Sequence, residues 1–370
     1  MANIALPQLK PPRIDWVALS RNPYAGLAAA GVLFAVAAFT LAILLSPGGG
    51  SFTVRLPLKD ALAHAPAGWR ESLKPFAGPA HTYRDVVRLS AHPLTGGATA
   101  EAARAPRPVY SGPGLAHAPI AGFYAPGPGG PLPIIAQDGR TPAEAYARPF
   151  KPNGRPKVAL VVGGLGLNAT ATRRAIETLR PEITLSFSVY AEGLQGWIDM
   201  ARAHGHEVLL ETPMEPVDYP DNDPGPYTLM AGAPPSEIVK RLEWILSRAT
   251  GYFGLTNYLG SRFVETDAAY QAFASSVRGR GLAFVDDGSA ARRGGGMPRA
   301  TAERVIDDKL SGVAIDQQLS ALEAGALQRG QALGSGFAYP VTLEKVAHWA
   351  NEVETRGFQL APVSALTRTR

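Results

Sequence analysis

From residue 158 to the C-terminus, short apolar segments that fit buried strands alternate with longer segments that fit helices. The first segment, Val158–Val162, is continuously apolar and ends in Gly163-Gly164, as expected of a buried parallel strand followed by a turn. Strands that alternate with helices predict a parallel sheet with right-handed crossovers. About seven such units favour an α/β fold, a distorted (β/α) barrel rather than an open sheet.

The same pattern predicts where the elements lie. Strands are expected at 158–162, 184–189, 207–210, 252–256, 282–285, 332–334 and 359–363, and helices at 169–179, 194–203, 236–249, 267–278, 320–328 and 343–355. In either architecture a site is expected in loops beyond the carboxyl ends of the strands. These loops are 163–168, 211–216, 257–262, 286–290 and 335–339.

A second constraint lies near the N-terminus, where residues 22–45 include no charged side chain. This run can cross a hydrocarbon core of about 30 Å as a helix. A buried core helix is rarely apolar all round, and a cleavable signal peptide has a shorter apolar run. Lys10, Arg13 and Arg21 precede the run with only Asp15 opposing them. The positive-inside tendency therefore predicts a single-pass inner-membrane protein with a cytoplasmic N-terminus and a periplasmic C-terminal domain.

The domain organisation follows from these two features and from the Gly and Pro content. The chain has 40 Gly and 33 Pro, too many for one compact domain of this kind. Much of the excess lies in the segment that follows the apolar run. The predicted divisions are a cytoplasmic tail (1–21), a transmembrane anchor (22–46), a disordered Pro/Gly/Ala-rich linker (47–130), an extended arm (131–156) and the α/β domain (157–370).

Composition excludes several classes of function. The net charge is +5, but the sequence contains no uninterrupted Lys/Arg block, no zinc-finger spacing and no aromatic RNA-binding signature. A nucleic-acid partner is therefore not expected. The chain has no Cys, which excludes disulfides, thiolate metal ligands and cysteine nucleophiles.

Four short motifs occur in the order and spacing of a known family. They are Val161-Val162-Gly163-Gly164-Leu165-Gly166, Gly205-His206-Glu207 with Pro213-Met214-Glu215-Pro216, Asn257-Tyr258-Leu259-Gly260-Ser261, and Phe284-Val285-Asp286-Asp287-Gly288. Over residues 157–370 the chain thereby resembles the divergent polysaccharide deacetylases. The resemblance implies a distorted (β/α) barrel and, in active members, metal-assisted hydrolysis of an N-acetyl group on an envelope sugar.

The sequence departs from that family where the metal chemistry is expected. Active members carry Asp-Asp where this chain has Gly163-Gly164, and His where it has Glu211 and Tyr258. Glycine has no side chain to ligate a metal, and phenol is a poor zinc ligand near neutral pH. Glu211 alone keeps coordinating capacity, so we expect no zinc site and no cofactor. An all-carboxylate Mg²⁺ or Ca²⁺ site that draws on Asp286, Asp287 and Glu215 stays open as an alternative.

The candidate site residues all lie in the predicted strand-end loops. Glu211, Asp286 and Asp287 are the candidates for catalysis, and Glu215, Asn257, Tyr258 and Ser261 are the candidates for ligand binding. Each set has a structural alternative: a salt bridge to Arg262 for the two glutamates, and side-chain capping of a turn for the Asp pair. Tyr258, Trp197, Tyr219 and Tyr227 could line a sugar-stacking groove or belong to the core. The run Gly163–Gly166 fits close chain packing or a phosphate-binding turn.

These observations favour a membrane-anchored, periplasmic deacetylase-like protein of envelope carbohydrate metabolism with impaired catalysis. Its expected partners are an envelope glycan or peptidoglycan, the inner membrane and, in an alternative, cell-wall proteins. Two alternatives stay open: an active carbohydrate N-deacetylase with an unusual carboxylate-rich site, and a scaffold for cell-wall enzymes.

Overall fold

The computed structural model describes residues 114–369 of the chain. The predicted cytoplasmic tail, the predicted transmembrane anchor and residues 47–113 of the predicted linker lie outside the described residues. Within 114–369, no helix is both long enough and apolar enough to cross a membrane.

The described chain alternates strands and helices as the sequence predicts. The strands are β1 (Tyr124–Gly127), β2 (Gly130–Pro133), β3 (Lys157–Leu165), β4 (Thr184–Ser188), β5 (Val208–Met214), β6 (Gly254–Leu259), β7 (Ala283–Asp286), β8 (Pro298–Thr301), β9 (Arg304–Val305), β10 (Gln331–Phe337), β11 (Gln359–Leu360) and β12 (Arg368–Thr369). The helices are α1 (Pro142–Ala145), α2 (Ala169–Thr178), α3 (Leu194–Ala203), α4 (Pro235–Leu246), α5 (Ser261–Glu265), α6 (Asp267–Gly279), α7 (Gly312–Arg329) and α8 (Pro340–Glu352). A single 3₁₀ turn spans Val363–Leu366.

One large sheet organises these elements. Its strand order is β12-β8-β7-β6-β5-β4-β3-β10-β9, and β11 pairs with the start of β3. Every pairing is parallel except the antiparallel pairing of the short β12 with β8. The central strand β3 is apolar and almost wholly buried, as expected of a parallel strand covered on both faces.

The sheet is curled into a partial barrel because the segment 298–305 reaches both ends of it. Its first part, β8, pairs with β7, and its second part, β9, pairs with β10. Between them, Ala302 N–H donates to Asp286 O at 2.7 Å and Glu303 N–H donates to Leu333 O at 2.8 Å. The predicted α/β class is confirmed. The observed form is a curled sheet that is consistent with the deacetylase-like fold.

Two apolar clusters cover the two faces of this sheet. The outer cluster packs the helices against Val158, Leu160, Val162, Leu210 and Phe284, and the inner cluster contains Ala159, Val161, Leu209, Val285 and Leu333. Odd and even residues of β3 thus face opposite clusters, as the period of two for strand side chains requires. The sequence period therefore fixes which side chains point into the curl of the sheet.

The chain before β3 is ordered against the domain. Strands β1 and β2 form an antiparallel hairpin that begins at Tyr124, inside the segment assigned to the disordered linker, and α1 interrupts the predicted extended arm. Arg202 on α3 fastens this part of the chain. Its buried guanidinium donates to the backbone oxygens of Ala116, Tyr146 and Gly251 at 2.9–3.1 Å.

Candidate functional site

Strands β3, β4 and β5 meet at one buried carboxylate. Glu211 is 6 % exposed, and its Oε1 accepts hydrogen bonds from Gly164 N–H at 2.6 Å and from the Ser186 hydroxyl at 2.9 Å. A Cβ added at Gly163 would lie 2.9 Å from this Oε1 and 2.7 Å from Ser186 Oγ. Position 163 therefore has no room for a side chain while Glu211 holds this position.

The backbone at Gly164 also requires glycine. Its φ of +72° lies in the left-handed region, where residues with a Cβ are strained. This conformation accompanies the short hydrogen bond from its N–H to Glu211. The two glycines near the carboxyl end of β3, where a turn was predicted, thus form the backbone wall of a pocket for the Glu211 side chain.

The same burial changes the acidity of Glu211. Removal from water raises its pKa to about 7, although the hydrogen bonds from Gly164 and Ser186 act in the opposite direction. A carboxyl group with a pKa near neutral is half protonated at physiological pH. Such a shift occurs both in buried structural carboxyls and in catalytic acids and bases.

The end of β6 contains a strained turn that is held by Asn257. Its side chain donates to Leu259 O at 2.8 Å and to Ser289 Oγ at 3.3 Å, and accepts from Asp287 N–H at 3.0 Å. Leu259 has a φ of +57°, which is unfavourable for a bulky residue, and such strain is often found at functional sites. Asn257 therefore joins the loops after β6 and β7.

Tyr258 lies on the same face of the sheet as Glu211. Thr256 is paired with Glu211 and Tyr258 with Pro213, and residues two apart on a strand share a face. The Tyr258 side chain is 36 % exposed. The structure therefore places a partly accessible aromatic ring at the inner, carboxyl-end rim of the sheet.

Glu215 and Ser261 join the loop after β5 to the start of α5. The buried Glu215 accepts from Ala231 N–H at 2.6 Å and pairs with Arg262 at 3.1 Å, which is the salt bridge considered as its structural alternative. The Ser261 hydroxyl accepts from Val217 N–H at 3.1 Å. Both residues lie at the rim, and both hold loop backbone in place.

Asp286 points away from Glu211. It follows Val285, an inner-face residue, so its side chain lies on the opposite face of β7. There its Oδ2 accepts from Arg299 at 2.6 Å and from Thr301 at 2.7 Å, and its Oδ1 accepts from Gly288 N–H at 3.0 Å. Asp286 is 1 % exposed, and both of its oxygens are engaged.

The neighbouring Asp287 is exposed, and its Oδ1 accepts from Ser289 N–H at 3.0 Å. This contact matches the turn-capping alternative for the Asp pair. The structure therefore does not bring the three candidate catalytic carboxylates together. Their catalytic assignment remains a prediction.

The donor set does not fit the divalent metal that the resemblance implies for active members. Position 163 has neither a ligand nor room for one, and Glu211 Oε1 is occupied by Gly164 and Ser186. Among residues 114–369, no group of three or more His, Cys, Asp or Glu side chains is placed to hold a metal ion. His206 lies at the amino end of β5 between the oxygens of Ile183 and Ile176, and burial lowers its pKa to about 4.

With this geometry in place, comparison with known proteins identifies the family. A family model described as divergent polysaccharide deacetylase matches residues 160–367, which is more than half of the chain. The chain belongs to the divergent polysaccharide deacetylase family. The resemblance stated from the four motifs is thereby confirmed.

The chain is also similar to solved structures. The deacetylase-like chain is 39 % identical to an uncharacterised protein of Agrobacterium tumefaciens C58, with a TM-score of 0.62 over 64 % of this chain and 99 % of that one. The catalytic domain of a peptidoglycan N-acetylglucosamine deacetylase from Eubacterium rectale is 13 % identical, with a TM-score of 0.41 over 61 % of this chain and 96 % of that one. Comparison with curated proteins gives no match.

Sequence reasoning missed Ser186 and Arg299. Ser186 lies mid-strand in β4, and its role follows only from the register that sets β4 beside β5. Arg299 lies in β8. The sequence did not predict this strand, because it is short and directly follows the Gly-rich run Gly294–Gly296. A buried basic partner for Asp286 could have been sought among nearby arginines, but the sequence offers Arg292, Arg293 and Arg299 alike.

Proposed function

We propose that this divergent deacetylase-like protein is anchored in the inner membrane and binds an envelope glycan at the strand-end rim without hydrolysing it. The observation that carries the proposal is the Glu211 side chain seated over Gly163. It fills the volume that a side chain at position 163 would need. One of its carboxylate oxygens accepts hydrogen bonds from Gly164 N–H and the Ser186 hydroxyl. The deacetylase-like sheet is present, but position 163 has neither a metal ligand nor room for one. Such a site is suited to holding a sugar rather than to activating water.

The anchoring part of the proposal rests on the sequence. The uncharged run at 22–45 is long enough to span a bilayer, and the basic residues before it favour a cytoplasmic N-terminus. The domain would then face the periplasm, where peptidoglycan and other envelope glycans are present. Alkaline phosphatase fused after residue 370 should be active and β-galactosidase at the same point inactive; the reverse pattern would contradict this orientation.

The binding part of the proposal rests on the rim around Tyr258. An exposed aromatic ring offers a face for the apolar side of a sugar ring. Glu215 and Ser261 lie beyond the neighbouring strand ends, and Asn257, whose side chain lies on the other face of β6, holds the strained turn at Leu259. A rim that is fixed before the ligand arrives loses less entropy on binding.

The test uses the full-length protein in mild detergent. We expect no stoichiometric divalent metal, no deacetylation of chitooligosaccharides or peptidoglycan, and saturable binding of at least one of these glycans by calorimetry. Tyr258→Ala should weaken that binding, whereas Tyr124→Ala on the exposed β1 strand should not. Tightly bound metal with turnover, or glycan binding that ignores Tyr258, would overturn the proposal.

One observation favours a second candidate, an active hydrolase. The pKa of about 7 at Glu211 is the value that general acid-base catalysis requires near neutral pH. This candidate predicts that the hydrolysis rate changes with pH around 7 and that Glu211→Gln abolishes hydrolysis. If the full-length protein shows no turnover on acetylated glycans from pH 5 to pH 9, this candidate fails and the binding function stands.

A further inference from the structure

A groove lies on the outer side of the domain, and neither Glu211 nor Tyr258 lines it. It has a volume of about 510 Å³, within the range of roughly 300–1,000 Å³ that small-molecule sites occupy. Its walls come from the β1–β2 turn, the loop before α4 and α4 itself. The lining residues are Pro128, Gly129, Pro226, Tyr227, Glu237, Lys240, Arg241, Glu243 and Trp244.

The groove has a prearranged aromatic platform. The rings of Tyr227 and Trp244 are stacked, with centroids 3.5 Å apart and planes within 1°. Tyr190 holds this pair, since its ring lies 6.0 Å from Trp244 and its hydroxyl accepts from Tyr227 N–H at 3.0 Å. Both members of the stack are only half-buried. They present a fixed apolar wall to the groove.

Two acidic and two basic side chains line the groove, and one of the acidic ones is paired with a cation from outside the lining. Glu237 pairs with Arg241 at 2.8 Å, and Glu243 pairs with Arg280 at 2.7 Å. Arg241 is also held by Thr228 O at 2.7 Å. Lys240 is exposed and makes no ion pair within residues 114–369. One ammonium group is therefore left to meet an anion at this wall.

An aromatic wall beside charged hydrogen-bonding groups fits a sugar, because a sugar ring is apolar on its faces and polar at its edge. Lys240 has no carboxylate partner within residues 114–369, so its ammonium group favours a sugar that carries a carboxylate. A proline-rich peptide also fits aromatic grooves, but the proline-rich segment just before the described residues carries Arg104 and Arg107, which Lys240 would repel.

We propose that the Tyr227–Trp244 groove is a binding site for an acidic glycan, separate from the strand-end rim. The carboxylate of the glycan pairs with Lys240, a ring packs on the face of the Tyr227–Trp244 stack, and ring hydroxyls bond to Arg241 and Glu237. This site goes beyond the proposed function, because it requires neither Tyr258 nor Glu211.

The test uses the full-length protein in detergent with oligogalacturonate as the acidic probe and chitotetraose as the neutral one. We expect oligogalacturonate binding, followed by calorimetry, to weaken by about tenfold or more in Tyr227→Ala and in Lys240→Ala. Tyr227→Phe keeps the ring and should restore binding. Tyr258→Ala at the rim should leave it unchanged, and added salt should weaken it.

Two further outcomes separate this proposal from the proposed function. If Tyr258→Ala weakens oligogalacturonate binding and Tyr227→Ala does not, the glycan lies at the rim and the groove proposal fails while the proposed function holds. The other outcome is that a peptide of residues 100–113 binds the protein, that Tyr227→Ala abolishes this binding, and that oligogalacturonate does not bind. The groove then takes the proline-rich segment and the glycan proposal is overturned. Circular dichroism of each variant verifies its fold.

Discussion

The carboxylate of Glu211 occupies the space that a side chain at Gly163 would need. A Cβ at position 163 would lie 2.9 Å from Glu211 Oε1, closer than real Cβ atoms approach other atoms. Gly163 near the end of β3 and Glu211 in the middle of β5 are therefore coupled in volume, although they are far apart in sequence.

This coupling can be measured as a difference in unfolding free energy. Gly163→Ala should cost about 1–3 kcal/mol, because an added methyl group overpacks a closed site. In a Glu211→Ala background the same change should cost less, since one of its two close contacts is gone. The other, Ser186 Oγ at 2.7 Å, has lost its acceptor and can turn aside. Urea unfolding of the four proteins in this cycle gives the coupling energy.

Gly196→Ala is the matched control for that cycle. Gly196 lies within α3, and a Cβ there meets nothing within 4 Å. Alanine is a better helix former than glycine, so this variant should be neutral or more stable by up to about 1 kcal/mol. Equal costs for Gly163→Ala in both backgrounds would refute the volume coupling.

A second prediction concerns pH. Burial raises the pKa of Glu211 to about 7, against an ordinary value of 4.5 for glutamate. The folded state therefore binds more protons than the unfolded state between these values, and stability falls as the pH rises from about 4.5 through 7. Glu211→Gln can still accept from Gly164 and Ser186, and it cannot ionise.

The variant should match the wild type at pH 4.5 and exceed its stability at pH 8 by on the order of 1–3 kcal/mol. Thermal melting across this range measures the difference. Glu177→Gln, on the exposed side of α2, should show no such trend. A difference between Glu211→Gln and the wild type that is constant with pH would contradict the assignment.

A third prediction separates two adjacent aspartates. Asp286→Ala removes one partner of a buried ion pair and leaves Arg299 without its carboxylate, which should cost about 3–5 kcal/mol. Asp287→Ala alters an exposed side chain and should stay within about 0.5–1 kcal/mol of wild type. Chemical denaturation measures both. Equal losses in the two variants would show that the Asp286–Arg299 pair is not the stabilising contact.

A fourth prediction tests how the chain before β3 is attached. Arg202→Met keeps the apolar stem and leaves the oxygens of Ala116, Tyr146 and Gly251 without their donor. Each unpaired buried group costs about 1–3 kcal/mol. We expect faster hydrogen exchange across residues 114–150 and lower stability. Arg173→Met, at an exposed pair on α2, serves as control and should leave exchange unchanged.

Much of the fold could be predicted, because its strands are continuous apolar runs bounded by turn residues. The run at 184–189 matches β4 closely and the alternation with helices is confirmed, whereas β3 continues beyond the predicted 158–162 through Gly163-Gly164 to Leu165. The segment 298–305 could not be predicted, since it is short, polar in part and paired at two different places. The hairpin at 124–133 was missed because Pro and Gly dominate it and only its docking orders it.

The candidate site was harder to predict, since periodicity locates strand ends but not side-chain partners. The sequence predicted Glu211, Asn257, Tyr258 and Asp286 at or just after strand ends. The structure places Asp286 at the end of β7 and Tyr258 next to the end of β6, but Glu211 lies in the middle of β5, which continues to Met214. Asp286 faces outward because it follows an inner-face residue, and one position along a strand reverses the direction of a side chain. The hydrogen bond between Ser186 and Glu211 required the register of two strands.

The seating of Glu211 over Gly163 also constrains how this protein can evolve. A lone aspartate at position 163 would collide with Glu211, and a lone exchange of Glu211 would leave the Gly164 amide unpaired beside a hole. A change at either position thus lowers stability unless the other position changes with it. The two positions are therefore expected to be substituted together, whereas rim residues can vary one at a time.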